Sequence, residues 1–168
     1  MIQTGISNLP EDSQMKLPYS EGSFFRLPLR DGCYARGVVA RMPRKGIILM
    51  GYFFGPSLST HEPIESFDLH PANAVLRVRF GDLGLIRGEW TVHGKLPGWD
   101  RSKWPIPDFA IRDPSGIRRP ILVHYSEDDP SRVEAEYLVD DASGLQTESL
   151  YGAGAVEITL RKLLAPKD

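Results

Sequence analysis

The dipeptide Asp31-Gly32 stands between two apolar runs and constrains the fold more than any other feature of the sequence. Residues 24–30 alternate apolar and polar side chains as a strand does, and residues 33–42 have the character of a returning strand. Asp-Gly is the signal for a type I′ hairpin, because both central residues of that turn take positive φ. After a second turn, residues 47–54 are apolar on both faces, which indicates a central, covered strand. We therefore predict three consecutive antiparallel strands. Pro28 places the first of them at a sheet edge, because proline cannot donate a ladder hydrogen bond.

The remaining sequence indicates short strands joined by turns, followed by one helix. Sixteen Gly and fourteen Pro occur among 168 residues without any period, which is typical of many turns and argues against a helix bundle. Strands are predicted at 75–80, 121–125 and 133–139, and a loop at 55–72. The C-terminal helix is predicted from apolar residues spaced i, i+4, i+7 and i+8 and from the proline that ends the run: Val156, Leu160, Leu163, Leu164 and Pro166.

These elements predict an α+β, mainly β fold. The strands would form an antiparallel, strongly bent sheet or a small, partly open barrel, with a C-terminal amphipathic helix beside it. Residues 1–22 have no sustained periodicity and are predicted to be an N-terminal tail or extension. Residues 23–168 are predicted to form a single β-rich domain, since 168 residues is the length of one ordinary domain.

Charge, cysteine content and hydropathy exclude several classes of protein. The net charge of −2 makes no case for nucleic-acid binding. A single cysteine, Cys33, excludes an internal disulfide and a cysteine-built zinc site. No apolar run reaches the ~20 residues that a membrane helix needs, and the N-terminus lacks the basic and apolar regions of a secretory signal. We expect no membrane partner and a cytoplasmic location.

Charge is distributed unevenly along the chain. Residues 26–45 hold six basic residues and one acid, whereas residues 127–148 hold eight acids and one base, Arg132. Such an acidic segment is either a solvated face or a surface that attracts a basic partner. The loop 95–107 carries two tryptophans, which either anchor a partner or close the core. The candidate partner-binding residues are Glu127, Asp128, Asp129, Glu134, Glu136, Asp140, Asp141, Trp99 and Trp104.

No enzyme motif is complete, and no catalytic, cofactor-binding or metal-binding residue is predicted. The glycines at 152 and 154 lack the third glycine and the preceding strand of a dinucleotide site, so they indicate a loop that enters a helix. The weak candidates are His61, Asp68 and His70 for a metal, Cys33 with His93 or His124 for a nucleophile and its base, and Asp82 with Glu89 for acid–base chemistry.

Two segments carry a family resemblance. Residues 24–39 contain Leu-Pro-Leu, Asp-Gly and Tyr-Ala followed by Gly and a hydrophobic pair, and residues 85–94 read L-x-x-G-x-W-x-V-x-G. With a weaker match at 107–116 and the terminal helix, the chain resembles the immunity protein 26 family. The resemblance implies a small cytoplasmic protein of a bacterial polymorphic toxin system, which neutralises a cognate toxin by binding it and has no catalytic residues. It also implies that the fold depends on Gly32, Gly88, Gly94 and Trp90.

Two functions are weighed on this basis. The first is an immunity protein that needs no cofactor and occludes the active surface of its cognate toxin, with the acidic residues 127–141 facing a basic cleft. The alternative is a small β-barrel ligand-binding module or enzyme, with a pocket lined by Tyr52, Trp90 and His93. The alternative requires a concave cavity in which polar groups converge.

Overall fold

The computed structural model describes residues 16–66 and 68–166 and contains two β-sheets and a C-terminal helix. The strands and α-helices are β1 Ser23–Pro28, β2 Cys33–Arg41, β3 Ile48–Ser59, β4 Leu76–Gly81, α1 Leu83–Ile86, β5 Thr91–Lys95, β6 Phe109–Ile111, β7 Ile121–Ser126, β8 Asp129–Leu138, β9 Gln146–Thr147, β10 Leu150–Tyr151 and α2 Ala153–Leu163. Short 3₁₀ helices lie at Pro71–Asn73 and Arg101–Lys103. The strand order is β10-β4-β3-β2-β1-β5 in the six-stranded sheet and β8-β7-β6-β9 in the four-stranded sheet.

The predicted three-strand unit is confirmed, because β1, β2 and β3 pair in sequence and antiparallel. The first turn has the predicted geometry: Asp31 and Gly32 have φ of 61° and 71°. The N–H of Cys33 donates to the carbonyl oxygen of Arg30 at 3.1 Å and closes this turn. The local turn chemistry of two residues therefore sets the register of the first hairpin.

Two details of this region differ from the predictions. Strand β1 is not at an edge, because β5 pairs with its other side. That pairing reaches only from Ser23 to Arg26, so Pro28 lies beyond it and no ladder hydrogen bond is required of the proline. Strand β3 continues to Ser59, so the predicted loop at 55–72 starts late. A register shift opposite residues 34–36 of β2 accommodates Pro56 within β3.

The six-stranded sheet has a hydrophobic core on each face. The first core contains Phe25, Phe53, Phe80 and Trp90 and is covered by helix α2. The second core lies between the two sheets and is made by the alternate residues of β2 and β3 together with strands β6 and β7. Both faces of β2 and of residues 49–54 of β3 are buried for this reason, as the continuous apolar run of residues 47–54 predicts.

The predicted fold class is confirmed as α+β and mainly β, with the helix at the C-terminus. Both sheets are mixed, because β10 runs parallel to β4 and β9 runs parallel to β6. The two sheets are not closed into a barrel. No helix among the described residues is long and apolar enough to cross a membrane.

Trp90 packs beside helix α2 in the first core and forms a hydrogen bond with it. Val156 and Leu160 of α2 are buried in the first core, and the indole N–H of Trp90 donates to Glu157 Oε2 at 2.8 Å. The Trp90 ring stacks on Phe25 with centroids 5.5 Å apart. A Cβ at Gly84 would lie 2.8 Å from the indole, so only glycine admits the ring at this distance. The expected roles of Trp90 in the core and of the 152–154 segment as a helix entry are both confirmed.

The N-terminal part of the described chain packs against the same core. Leu17 contacts the first core, and Tyr19 is buried there. The Tyr19 hydroxyl donates to Asp82 Oδ2 at 2.6 Å, and burial raises the pKa of this phenol well above its usual range. Of the predicted extension 1–22, residues 1–15 lie outside the described residues. The division into an extension and a domain stays a prediction.

Candidate functional site

Three buried arginines of the six-stranded sheet tie other segments to it. Arg36 and Arg41 lie on β2 and Arg79 lies on β4, and all three are almost inaccessible to solvent. A guanidinium is rarely buried unless it is paired, and each of these forms an ion pair with a carboxylate from a distant segment. These pairs were not predicted, because the alternation of β4 places Arg79 on a face that a single sheet would leave in solvent.

Arg36 holds the loop between β3 and β4. Its two terminal nitrogens donate to Asp68 Oδ1 at 2.6 Å and Oδ2 at 3.0 Å, and they also reach the carbonyls of Glu65 and Gly55. These hydrogen bonds lower the pKa of Asp68. The weak metal candidate that joined Asp68 to His61 and His70 is not assembled: within the described residues, no three His, Cys, Asp or Glu side chains are placed to hold a metal ion.

Arg41 holds the first acid of the acidic segment. Its Nε donates to Glu127 Oε2 at 2.7 Å, and its Nη2 donates to the carbonyl of Arg101 at 2.8 Å. The other carboxylate oxygen of Glu127 accepts the N–H of Ile106 at 3.3 Å. Glu127 therefore joins the β7–β8 turn to the loop 95–107, and its charge is matched by a buried cation.

Arg79 holds the last acid of the segment, Glu148, which the candidate set did not include. The guanidinium pairs with Glu148 Oε1, donates to the carbonyl of Pro130 at 3.1 Å and lies 4.0 Å from the centroid of the Tyr125 ring. The Tyr125 hydroxyl also donates to Glu148. Burial, reinforced by this carboxylate, raises the pKa of Tyr125 to about 12. Arg41 and Arg79 thus fasten the four-stranded sheet to the six-stranded sheet.

Four further acids serve local turns or exposed pairs. Asp129 and Asp141 each accept hydrogen bonds from the serine two residues later, which lowers the pKa of both carboxyls. Asp140 pairs with Arg119 at 3.0 Å, and Asp128 lies 3.5 Å from Arg101. The ion pairs of Asp128 and Asp140 involve exposed side chains and contribute little to stability.

The two central acids, Glu134 and Glu136, stand apart from the others. They lie on β8, at the end of the four-stranded sheet, and the described residues provide neither of them with an ion pair or a hydrogen bond. Tyr137 and Leu138 beside them are 57% and 60% exposed. We call residues 133–138 the β8 edge: it combines unpaired negative charge with exposed apolar side chains.

The two tryptophans of the loop 95–107 have different positions. Trp104 is buried in the second core, 5.0 Å from the Tyr52 ring between centroids. Trp99 packs on Trp104 at 5.4 Å and remains partly exposed. Arg101 and Glu21 form an ion pair at 2.8 Å beside it. Of the two predicted roles, Trp104 closes the core, whereas contact of Trp99 with a partner stays a prediction.

The pocket expected for the alternative function is not formed. Trp90 belongs to the first core and Tyr52 to the second, so the two rings lie on opposite faces of the six-stranded sheet, and His93 is exposed on β5. Alternating side chains point to opposite faces, and the sequence pattern alone did not show which strands would pair.

The other weak catalytic candidates have structural roles or different partners. Asp82 is buried and accepts hydrogen bonds from Tyr19 and from the N–H of Ile47, which fixes the turn before β3. Cys33 contacts its own hairpin turn. His124 Nδ1 lies 2.7 Å from Asp108 Oδ1 on the four-stranded sheet, and this hydrogen bond raises the pKa of the imidazole. This histidine–aspartate pair was not predicted, because Asp108 directly precedes β6 and His124 lies sixteen residues later on β7.

A groove of about 870 Å³ lies between the first hairpin and the end of helix α2. Its walls include Leu29, Pro56, Ile158 and Leu164, and basic side chains of α2 stand at its rim. The groove is open to solvent, and its lining is mainly apolar.

Comparison with known proteins gives one match. The family model described as Immunity protein 26 matches residues 20–119, more than half of the chain. The matched span includes β1–β6 with Arg36, Arg41, Arg79 and Trp90, and it ends before β7, β8 and helix α2. No curated protein and no solved structure matches the chain.

Proposed function

The chain belongs to the immunity protein 26 family, and on that premise we propose that it binds a cognate bacterial polymorphic toxin and neutralises it by covering the toxin's active surface. In this proposal it acts in the cytoplasm, where its single thiol stays reduced, and it catalyses no reaction. The observation that supports the proposal beyond family membership is the β8 edge, whose unpaired carboxylates stand beside exposed apolar side chains.

The candidate partner-binding residues have two different roles in this proposal. Glu127, which pairs with Arg41, and the buried Trp104 would hold the surface in position and would not contact the toxin. Glu134 and Glu136 would contact it directly, while the remaining acids would add to the negative field around them. Exposed carboxylates of one sign accelerate the encounter with a basic cleft, and the exposed apolar residues then exclude water from the contact. The direct and flanking contacts proposed are Asp128, Asp129, Glu134, Glu136, Asp140, Asp141 and Trp99.

The test requires a cognate toxin, for which we take a toxin domain encoded by a gene adjacent to this protein's own. Co-expression of the present chain should restore growth of cells that produce the toxin domain, and the two proteins should purify together. Reversing Glu134, Glu136, Asp140 and Asp141 to lysine should slow association at low salt by roughly tenfold or more and flatten its salt dependence. Reversal of Glu89, an exposed acid in the turn between α1 and β5, is the control and should leave the rate unchanged.

Two results would contradict the proposal. Absence of both rescue and co-purification with the wild-type chain would remove the toxin as a partner. Unchanged association kinetics in the fourfold variant would remove the acidic surface as the site of contact, even if the two proteins bind.

A second candidate function, binding of a small apolar ligand, is favoured by the groove beside α2. Its volume of about 870 Å³ lies within the range of ligand sites, roughly 300–1,000 Å³. Calorimetric titration with medium-chain alkyl carboxylates would support this function if heat is released in the wild type and lost in Leu29→Glu. Equal heats for the two proteins would contradict it.

A further inference from the structure

Strand β8 is an edge strand of the four-stranded sheet, so one side of its backbone has no neighbouring strand. The register identifies which groups face that side. The N–H of Val139 donates to the carbonyl of Pro120 at 3.0 Å, and the ladder pairs the next residues, Ile121 and Leu138, directly opposite each other. Hydrogen-bonded and non-hydrogen-bonded pairs alternate along an antiparallel ladder. The pair that contains Leu138 is therefore non-hydrogen-bonded, and the next pair is hydrogen-bonded again.

The same alternation places Tyr137 and Ala135 in hydrogen-bonded pairs with β7, whereas Glu136 and Leu138 direct their backbone N–H and C=O groups away from the sheet. No other described segment pairs with this outer side. Two residues at i and i+2 with outward backbone groups are what a further strand needs in order to add to a sheet.

The side chains of the β8 edge leave this backbone accessible. Natural edge strands are blocked by proline, lysine, bulges or a covering segment. In β8 the proline is Pro130, whose carbonyl accepts from Arg79, and the two register shifts lie at residues 130–132 and at residue 134. All of these features precede residue 135. From residue 135 to residue 138 neither proline nor lysine occurs, and the only charge is that of Glu136. The charge on the open part of the strand is thus negative and unpaired within the described residues.

We propose that the toxin adds an extended, basic segment to β8 as a fifth strand of the four-stranded sheet. This inference rests on the function proposed above and specifies how the partner is held. Cross-strand neighbours share a face, so a lysine or arginine of the added strand lies opposite Glu136, and apolar residues lie beside Tyr137 on the other face. The segment therefore alternates basic and apolar residues. Backbone hydrogen bonds from Glu136 and Leu138 provide the register.

Amide exchange measured by NMR, in the free protein and in its complex with the toxin domain encoded beside its gene, tests the proposal without a mutation. In the free protein the amides of Glu136 and Leu138 should exchange quickly, whereas those of Ala135 and Tyr137 are protected by β7. In the complex, exchange at Glu136 and Leu138 should slow by roughly 100-fold or more. Unchanged exchange at these two amides, in a complex that inhibits the toxin, would overturn strand addition and leave the proposed function standing.

Two variants at residue 136 distinguish the contribution of the backbone N–H to toxin affinity from that of the carboxylate charge. Glu136→Pro removes the outward N–H and the charge, whereas Glu136→Gln removes the charge alone and keeps the N–H. Neither change touches a hydrogen bond to β7 in the register above, so both should keep the thermal midpoint of the wild type. We expect toxin affinity to fall at least ~100-fold in Glu136→Pro and ~10-fold or less in Glu136→Gln.

Equal affinities of the two variants would contradict the proposal. If Glu136→Pro does not fold, the exchange experiment decides, and absence of any complex with the wild type refutes the proposed function itself.

Discussion

Strands β2 and β8 are of similar length, yet they have opposite surroundings. Eight of the nine residues of β2 are buried, whereas only Pro130 of the ten residues of β8 is buried. Strand β2 lies within the span matched by the family model, and β8 lies beyond it. This contrast supports our proposal that the exposed end of the four-stranded sheet contacts the toxin, while the buried strands of the six-stranded sheet maintain the fold.

Removing one aromatic ring from each sheet tests this contrast most strongly. Phe53→Ala should lower the free energy of unfolding by about 3–5 kcal/mol, because its ring is fully buried in the first core. Tyr137→Ala, on the β8 edge, should lower it by no more than about 0.5 kcal/mol. Urea denaturation measures both. Similar losses in the two variants would break the division between fold and recognition.

The comparison becomes sharper when the arginine of a buried ion pair and the arginine of an exposed ion pair are each replaced by alanine and the two losses of stability are compared. Arg79→Ala leaves Glu148 without its cation and should cost about 3 kcal/mol, the lower end of the range for buried pairs, because the Glu148 side chain is 23% exposed. Arg119→Ala breaks the exposed pair with Asp140 and should cost at most about 1 kcal/mol. A cost for Arg79→Ala as small as that for Arg119→Ala would show that the sheets are not fastened by this pair.

Substitution of two glycines by alanine should change the stability of the protein in opposite directions. Gly84→Ala places a methyl group 2.8 Å from the Trp90 indole and should destabilise the protein by about 1–3 kcal/mol. Gly154→Ala meets nothing within 4 Å in the exposed first turn of α2, and it should stabilise the protein by about 0.5 kcal/mol, because alanine favours the helix. Thermal denaturation of both variants checks the two signs. Stabilisation by Gly84→Ala would contradict the close approach of Trp90.

The smallest expected effect is the pH dependence of stability that arises from His124. The pKa of His124 is raised by Asp108, so the folded state binds this proton more tightly than the unfolded state does. The resulting stabilisation is complete below the unfolded pKa of about 6.5 and is lost as pH rises through the higher folded value. Both side chains are 39% exposed, so the effect should be about 0.5 kcal/mol or less. Denaturation between pH 5.5 and 8 should show this loss in the wild type and not in His124→Gln; equal slopes would contradict it.

Sequence reasoning succeeded where the structure depends on neighbours in the chain. The Asp31-Gly32 hairpin and the terminal helix follow from turn chemistry and periodicity, and both are present. It failed where distant segments meet. A strand at 133–139 was predicted, but the sequence did not show that β8 would lie at the end of its sheet with both faces exposed. Glu127 resembles the other acids in the sequence, and only the second sheet brings it to Arg41.

The most direct test of the central claim compares two double charge reversals within the acidic segment. Glu134→Lys with Glu136→Lys alters the β8 edge, whereas Asp140→Lys with Asp141→Lys alters carboxylates that pair with Arg119 and cap a turn. Affinity for the toxin domain encoded beside the gene should fall at least ~100-fold in the first variant and less than ~10-fold in the second, with both proteins folded. Equal affinities in the two variants would contradict the assignment of toxin recognition to the β8 edge.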